Sequence, residues 1–77
     1  MSHPRVTVDG RELFPPEPMQ RVLAALATLS QGECLELLLA REPFPLYELL
    51  RRDGHTWRTR LEPDGTYVIT ITKFSAA

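Results

Sequence analysis

The stretch Val8-Asp9-Gly10-Arg11-Glu12-Leu13-Phe14-Pro15-Pro16-Glu17-Pro18-Met19 contains the end of one element and the start of the next. Just before it, Val6 and Val8 alternate within Arg5 to Val8, as in a short strand with one buried face. Asp9-Gly10 stops that strand and a polar loop follows. Pro16 and Pro18 then open a helix. Proline is tolerated there because first-turn N–H groups have no intrahelical partner. Met19, Val22, Leu23, Leu26 and Leu29 form the apolar stripe of that helix, and the alanines between them are good helix formers. Ser30-Gln31-Gly32 ends it, with Gly32 as a candidate left-handed cap.

Downstream, the period changes from helix to strand and back. Glu33 to Leu39 reads as a second strand, with Leu35, Leu37 and Leu39 on one face and Cys34, Glu36 and Leu38 on the other. Arg41-Glu42-Pro43-Phe44-Pro45 is a rigid loop, and Pro45 falls in the first turn of a second helix. Leu46, Leu49 and Leu50 are its buried stripe, and Asp53-Gly54 closes it. His55 to Leu61 alternates Trp57, Thr59 and Leu61 against Thr56, Arg58 and Arg60. Pro63-Asp64-Gly65 is a hairpin signal. Thr66 to Thr72 is the last strand, with Tyr67, Ile69 and Ile71 facing inward.

The element order is therefore β-α-β-α-β-β. Two helices must share one face of a four-stranded sheet, because nothing remains to cover the other. The expected fold is α+β, a two-layer α/β sandwich with an open sheet face. That face should carry Thr7, Cys34, Glu36, Leu38, Thr56, Arg58, Arg60, Val68, Thr70 and Thr72, a mostly polar set.

Size and charge narrow the options. The 77 residues make a single domain, residues 1–77 with a core over about 5–73. A chain this short buries only about 60% of its unfolded surface, so the core is thin. Nine basic side chains face ten acidic ones, for a net charge of -1. That balance draws the chain neither to nucleic acid nor to a membrane surface. No apolar run reaches the length of a membrane span. Met1-Ser2-His3-Pro4-Arg5 lacks the apolar stretch of a signal peptide. A single cysteine excludes an internal disulfide framework and fits a reducing, cytoplasmic setting. Ser75-Ala76-Ala77 reads as a frayed tail.

The element order, together with Gly10, the Pro16-Glu17-Pro18 run and Gly32-Glu33, resembles the TusA/SirA-like superfamily of sulfur carriers over nearly the whole chain. Pro43-Phe44-Pro45-Leu46 and the Trp57-bearing third strand bring it closer to a branch described only as a domain of unknown function. The resemblance implies a mixed sheet of order 1-2-4-3, with the fourth strand antiparallel to the others. It also implies a site. The sulfur carriers have Cys-Pro-x-Pro at the start of the first helix, where the positive end of the helix dipole favours thiolate. Pro15 stands in the cysteine's place. Proline can neither accept nor pass on sulfur, so no catalytic residue carries over and the chain is not expected to be an enzyme.

Cys34 is the remaining thiol. It lies at the opposite end of the second strand, on the order of 15–20 Å from the helix starts at about 3.3 Å per residue. It reads either as a small residue on the open face or as a reactive thiol in a sulfur-transfer or redox carrier.

The edge where both helices begin collects Phe14, Glu17, Arg41, Glu42, Phe44 and Tyr47, with the Pro63-Asp64-Gly65 hairpin nearby. Open α/β sheets tend to bind ligands at this edge. Aromatic residues and arginine are enriched at interface centres. The same residues also fit a structural role, with Phe14 and Phe44 plugging the ends of a thin core and Glu17 complementing a helix dipole. A phosphate cradle is disfavoured, because the prolines remove N–H donors and Glu17 adds negative charge. A metal would have to draw on His3 and His55, which lie on opposite sheet edges roughly 14 Å apart, and no Cys/His set has zinc spacing. No metal or other cofactor is expected.

Arg51, Arg52, Arg58 and Arg60 are the densest basic group. Arg51 and Arg52 suit a helix C-terminus. Arg58 and Arg60 belong to the open face, either paired with Glu36 or docking an acidic partner or a second copy of the chain. Single-stranded RNA binding is discounted, because Trp57 and Tyr67 face inward. The preferred expectation is a non-catalytic binding or adaptor module that uses the helix-start edge to hold another protein, of redox, respiratory or sulfur-transfer type. The alternatives are a Cys34 carrier and a homodimer through the open face.

Overall fold

The computed structural model describes residues 3–74. The expected frayed tail at Ser75-Ala76-Ala77 lies outside the described residues, as do Met1 and Ser2. In chain order the elements are β1 (Val6–Asp9), α1 (Glu17–Thr28), β2 (Cys34–Leu39), α2 (Phe44–Arg52), β3 (Thr56–Leu61) and β4 (Tyr67–Thr72). The sheet order is β1-β2-β4-β3. β1 runs parallel to β2, while β4 is antiparallel to both β2 and β3.

The apolar alternation reads directly onto the two layers. Leu35, Leu37, Ile69 and Ile71 are fully buried beneath Val22 and Leu26 of α1 and Leu46 and Leu50 of α2. Each such side chain contributes about 1.5–3 kcal/mol relative to exposure, so this one cluster carries most of the fold. The opposite face is largely polar, as the sequence implies, with Cys34, Leu38 and Val68 as its apolar members. Cys34 and Val68 are buried, at 3% and 4% exposed. Both sit on the central strands, where neighbours flank them on two sides; Val68 lies in register between Leu38 and Arg60.

Three details differ from the sequence reading. Gly32 does take a left-handed φ of 81°, but not as the cap of α1. The helix ends at Thr28, Leu29 is already extended, and Gly32 serves a following turn closed by the Glu33 N–H on the Ser30 carbonyl at 3.0 Å. Leu61 is on the helix-side face yet 59% exposed, because the nine-residue α2 is too short to cover the far end of β3. Arg60 pairs with Glu62 at 2.7 Å instead of Glu36. Glu36 and Arg58 lie in one cross-strand row but are separated by Thr70.

Candidate functional site

β1 and β2 both end at the same edge of the sheet, and each passes through a proline-rich loop into a helix. Gly10 eases the first exit. Its N–H donates to the Leu38 carbonyl at 2.8 Å. A Cβ there would come within 2.8 Å of the end of the Leu39 side chain and 3.4 Å of Pro18, so a larger residue would displace Leu39 where the loop passes between β2 and α1. Pro16 and Pro43 occupy the N-cap positions, and neither helix has a side-chain cap. The Glu17 N–H donates to Phe14, the Phe44 N–H to Glu42 and the Leu46 N–H to Pro43. Pro18 and Pro45 have no N–H to offer. Few first-turn donors remain for an anion, as the sequence implies.

Between the two loops lies a groove of about 660 Å³, within the range of small-ligand pockets. Leu37 and Leu39 of β2 form its floor, with Val22 and Leu46 from the helices. Leu13, Phe14, Pro15, Pro16 and Pro18 wall one side; Ala40, Arg41, Glu42, Pro43 and Pro45 wall the other. Apart from Arg11, Arg41 and Glu42, every lining side chain is apolar or absent.

The polar groups differ in their freedom. Arg11 is held by Asp9, with its Nε donating at 2.9 Å and its NH2 nitrogen at 2.8 Å. These side-chain bonds, and then a backbone bond from Arg11, lower the Asp9 pKa to about 2. The Arg11 pKa is raised by the same partner, with a smaller contribution from Asp64, which places the β3–β4 hairpin on this edge. Glu42 accepts from the Tyr47 hydroxyl at 3.1 Å. Arg41 is exposed, with no ion pair among the described residues.

Of the six residues that the sequence places on this edge, Phe14, Arg41 and Glu42 line the groove. Phe14 is 84% exposed, so it stands at the rim instead of plugging the core. Glu17, Phe44 and Tyr47 do not line the groove. Glu17 begins α1 and pairs with Arg21 at 3.8 Å. Phe44 and Tyr47 belong to a neighbouring aromatic ledge over β3. There, Phe44 meets Tyr47 edge-on at 5.9 Å, and Tyr47 stacks on Trp57 at 5.2 Å. The Tyr47 pKa is raised, chiefly by burial. Sequence reasoning located the proline frame but missed the groove's floor. Leu37 and Leu39 read only as core, and nothing in their alternation says that their upper edges border an opening.

Cys34 lies at the start of β2, opposite Thr72 and a full strand away from the groove beyond Leu39. His55 sits before β3 and accepts the Phe74 N–H through Nδ1 at 3.1 Å, while His3 precedes β1 on the opposite edge of the sheet. Among the described residues, no three His, Cys, Asp or Glu side chains converge as a metal site would require. No helix among them is long and apolar enough to cross a membrane.

A smaller hollow of about 430 Å³ lies at the other end of the helices, lined by Leu23, Ala27, Leu49, His55 and Lys73 among others. Its cations are engaged. Lys73 donates from Nζ to the Leu26 carbonyl at 2.7 Å, and Arg52 pairs with Asp53 at 3.3 Å.

Comparison with solved structures finds a SirA-like protein from Desulfitobacterium hafniense at a TM-score of 0.79 and 23% identity. The match covers 87% of this chain and 95% of that one, so the two share a fold. Comparison with curated proteins finds no significant match. Residues 7–73 match the family described as "Uncharacterized conserved protein (DUF2249)". That match spans both helices and all but the first residue of the sheet, so the chain is a member of this uncharacterised conserved family, with a SirA-like fold.

Proposed function

We propose that this domain is a non-catalytic binding module that holds an apolar segment of another protein in the groove between its helix starts. The observation that carries this reading is the chemistry of the lining. Pro15, at the position where the resembling sulfur carriers have their thiol, is itself a wall of the groove. No lining residue has a thiol, hydroxyl, amine or imidazole, and the one carboxylate, Glu42, accepts a hydrogen bond from the Tyr47 hydroxyl. What is present suits recognition: an apolar floor, walls stiffened by prolines, an exposed Phe14 at the rim and a cation, Arg41, with no ion pair among the described residues. Walls that are already rigid lose little entropy when a partner docks. Against a carrier role for Cys34 stands its enclosure. Buried thiols without an electropositive setting are chemically inert.

The test places the photo-crosslinker p-benzoylphenylalanine at Phe14 and, as a control, at Ala27 beside the opposite hollow. Irradiation in the native host should give a discrete protein adduct from position 14 and none from 27. Adding Arg41→Glu should remove that adduct while circular dichroism stays native. Equal crosslinking from both positions, or none from either, sinks the assignment.

A further inference from the structure

Strand β3 presents a second surface, separate from the groove and independent of the reading above. It is an outer strand of the sheet and, among the described residues, pairs with β4 alone. The hairpin determines which of its backbone groups are free. At its root the Glu62 N–H donates to the Thr66 carbonyl at 2.8 Å. Antiparallel ladders alternate bonded and non-bonded pairs. Counting back through Leu61↔Tyr67, Arg60↔Val68, Thr59↔Ile69 and Arg58↔Thr70, the arginines bond toward β4. The N–H and C=O groups of Leu61, Thr59 and Trp57 therefore point away from the sheet, at the spacing an added strand would meet.

The side chains sort by face. Arg58 and Arg60 project with Thr56 from the open face. Arg60 shares Glu62, while Arg58 has no ion pair among the described residues. On the helix side, Trp57 is only half-buried, stacked on the Tyr47 ring with the Arg51 guanidinium 5.8 Å away. Leu61, two positions on, is exposed. The free edge thus has a cationic side and an apolar side.

We propose that β3 accepts an extended acidic segment of a partner protein as a fifth strand. Its carboxylates would lie beside Arg58 and Arg60, and its alternate apolar side chains beside Trp57 and Leu61. Charge selects this occupant over a second copy of the chain. Two β3 strands paired antiparallel about Thr59 would set Arg58 opposite Arg60 on both sides, and like charges directly opposite destabilise a ladder. Arginines on an edge therefore oppose self-pairing, whereas an acidic strand turns them into attractive contacts. In such strand addition, main-chain bonds give affinity and alternating side chains give specificity.

The probe is the capped peptide acetyl-Thr-Val-Glu-Val-Glu-Val-Thr-amide, titrated into the full chain at low salt. Trp57, the chain's single tryptophan, reports binding by fluorescence. A saturable change is expected. The peptide with lysines for glutamates should bind at least about tenfold more weakly, and Arg58→Glu with Arg60→Glu should reverse that preference. N-methylation of the three valines, which removes their backbone donors, should abolish binding. Equal affinity for both peptides, retained affinity for the methylated one or no saturable change overturns the proposal. So does a dimer of the chain alone that competes with the peptide.

Discussion

The two ends of the helix pair are built on opposite principles. Where the helices stop, backbone carbonyls are satisfied by dedicated groups. Around Gly54, which has φ 85°, the His55 N–H returns to the Leu50 carbonyl at 2.9 Å and the Gly54 N–H to Arg51 at 3.2 Å, a Schellman ending. Arg51 and Arg52 add positive charge to that last turn. α1 has no cation in its own last turn, and Lys73, at the end of β4, supplies one from 47 positions away. Where the helices start, prolines thin out the donors, no side chain caps either helix, and Phe14 and Phe44 stand in solvent. One end is closed by its own chemistry. The other is rigid but open, which is the arrangement a docking edge needs.

Removing the distant cation at the closed end should have the largest effect. Lys73→Met keeps the apolar stem and removes the ammonium that bonds the Leu26 carbonyl. A hydrogen bond with one charged partner contributes about 1.5–3 kcal/mol. Urea denaturation should show a loss of that size, with an unchanged dependence on denaturant. A variant as stable as the parent would mean that the Leu29 N–H, which already reaches Leu26 at 3.1 Å, suffices to close α1.

Gly54→Ala comes next, at about 1–2 kcal/mol, the cost of holding an L-residue in the left-handed region. Space is not the problem, since the added Cβ would sit 3.7 Å from the Phe74 carbonyl oxygen. At the open end, Phe14→Ala should change stability by less than about 0.5 kcal/mol, as an exposed side chain with no buried role. A larger loss on thermal melting would mean that Phe14 is structural, and that the two ends differ less than their geometry implies.

The turns were largely legible in the sequence. Asp53-Gly54 at the closed end and Pro63-Asp64-Gly65 at the open one name their own conformations, because a left-handed φ or a tight hairpin has few chemical solutions. The inward alternation of Leu35, Leu37, Ile69 and Ile71 fixed the buried face for the same kind of reason. The strand order rested on resemblance, since alternation says which face a strand buries but not which strand lies beside it. The site was legible only in part. Proline spacing located the edge, yet Phe14 and Phe44 look equivalent in one dimension. The loops send the first to the groove and the second to the aromatic ledge with Tyr47 and Trp57. The long-range bond from Lys73 to Leu26 left no local trace at all.

The smallest effect concerns Asp9 on the rim of the open end, and it bears on which cation there is free. The Asp9 pKa falls from 3.8 to about 2, first through the Arg11 side chain and then through the Arg11 backbone N–H. A depressed carboxyl pKa stabilises the folded state above the unfolded value, and that contribution is lost as pH falls through the folded one. The pair should therefore act fully above about pH 4 and fade toward pH 2. Both side chains are exposed, so added salt should screen the effect. An NMR titration of the Asp9 carboxyl should find a midpoint near 2. In Arg11→Gln the midpoint should rise yet stay below 3.8, because the backbone bond at 3.2 Å remains. A parent midpoint already at the ordinary value would mean that Asp9 does not hold Arg11. The rim would then offer a partner two free cations, Arg11 and Arg41, and the groove would favour a more acidic segment than one arginine can select.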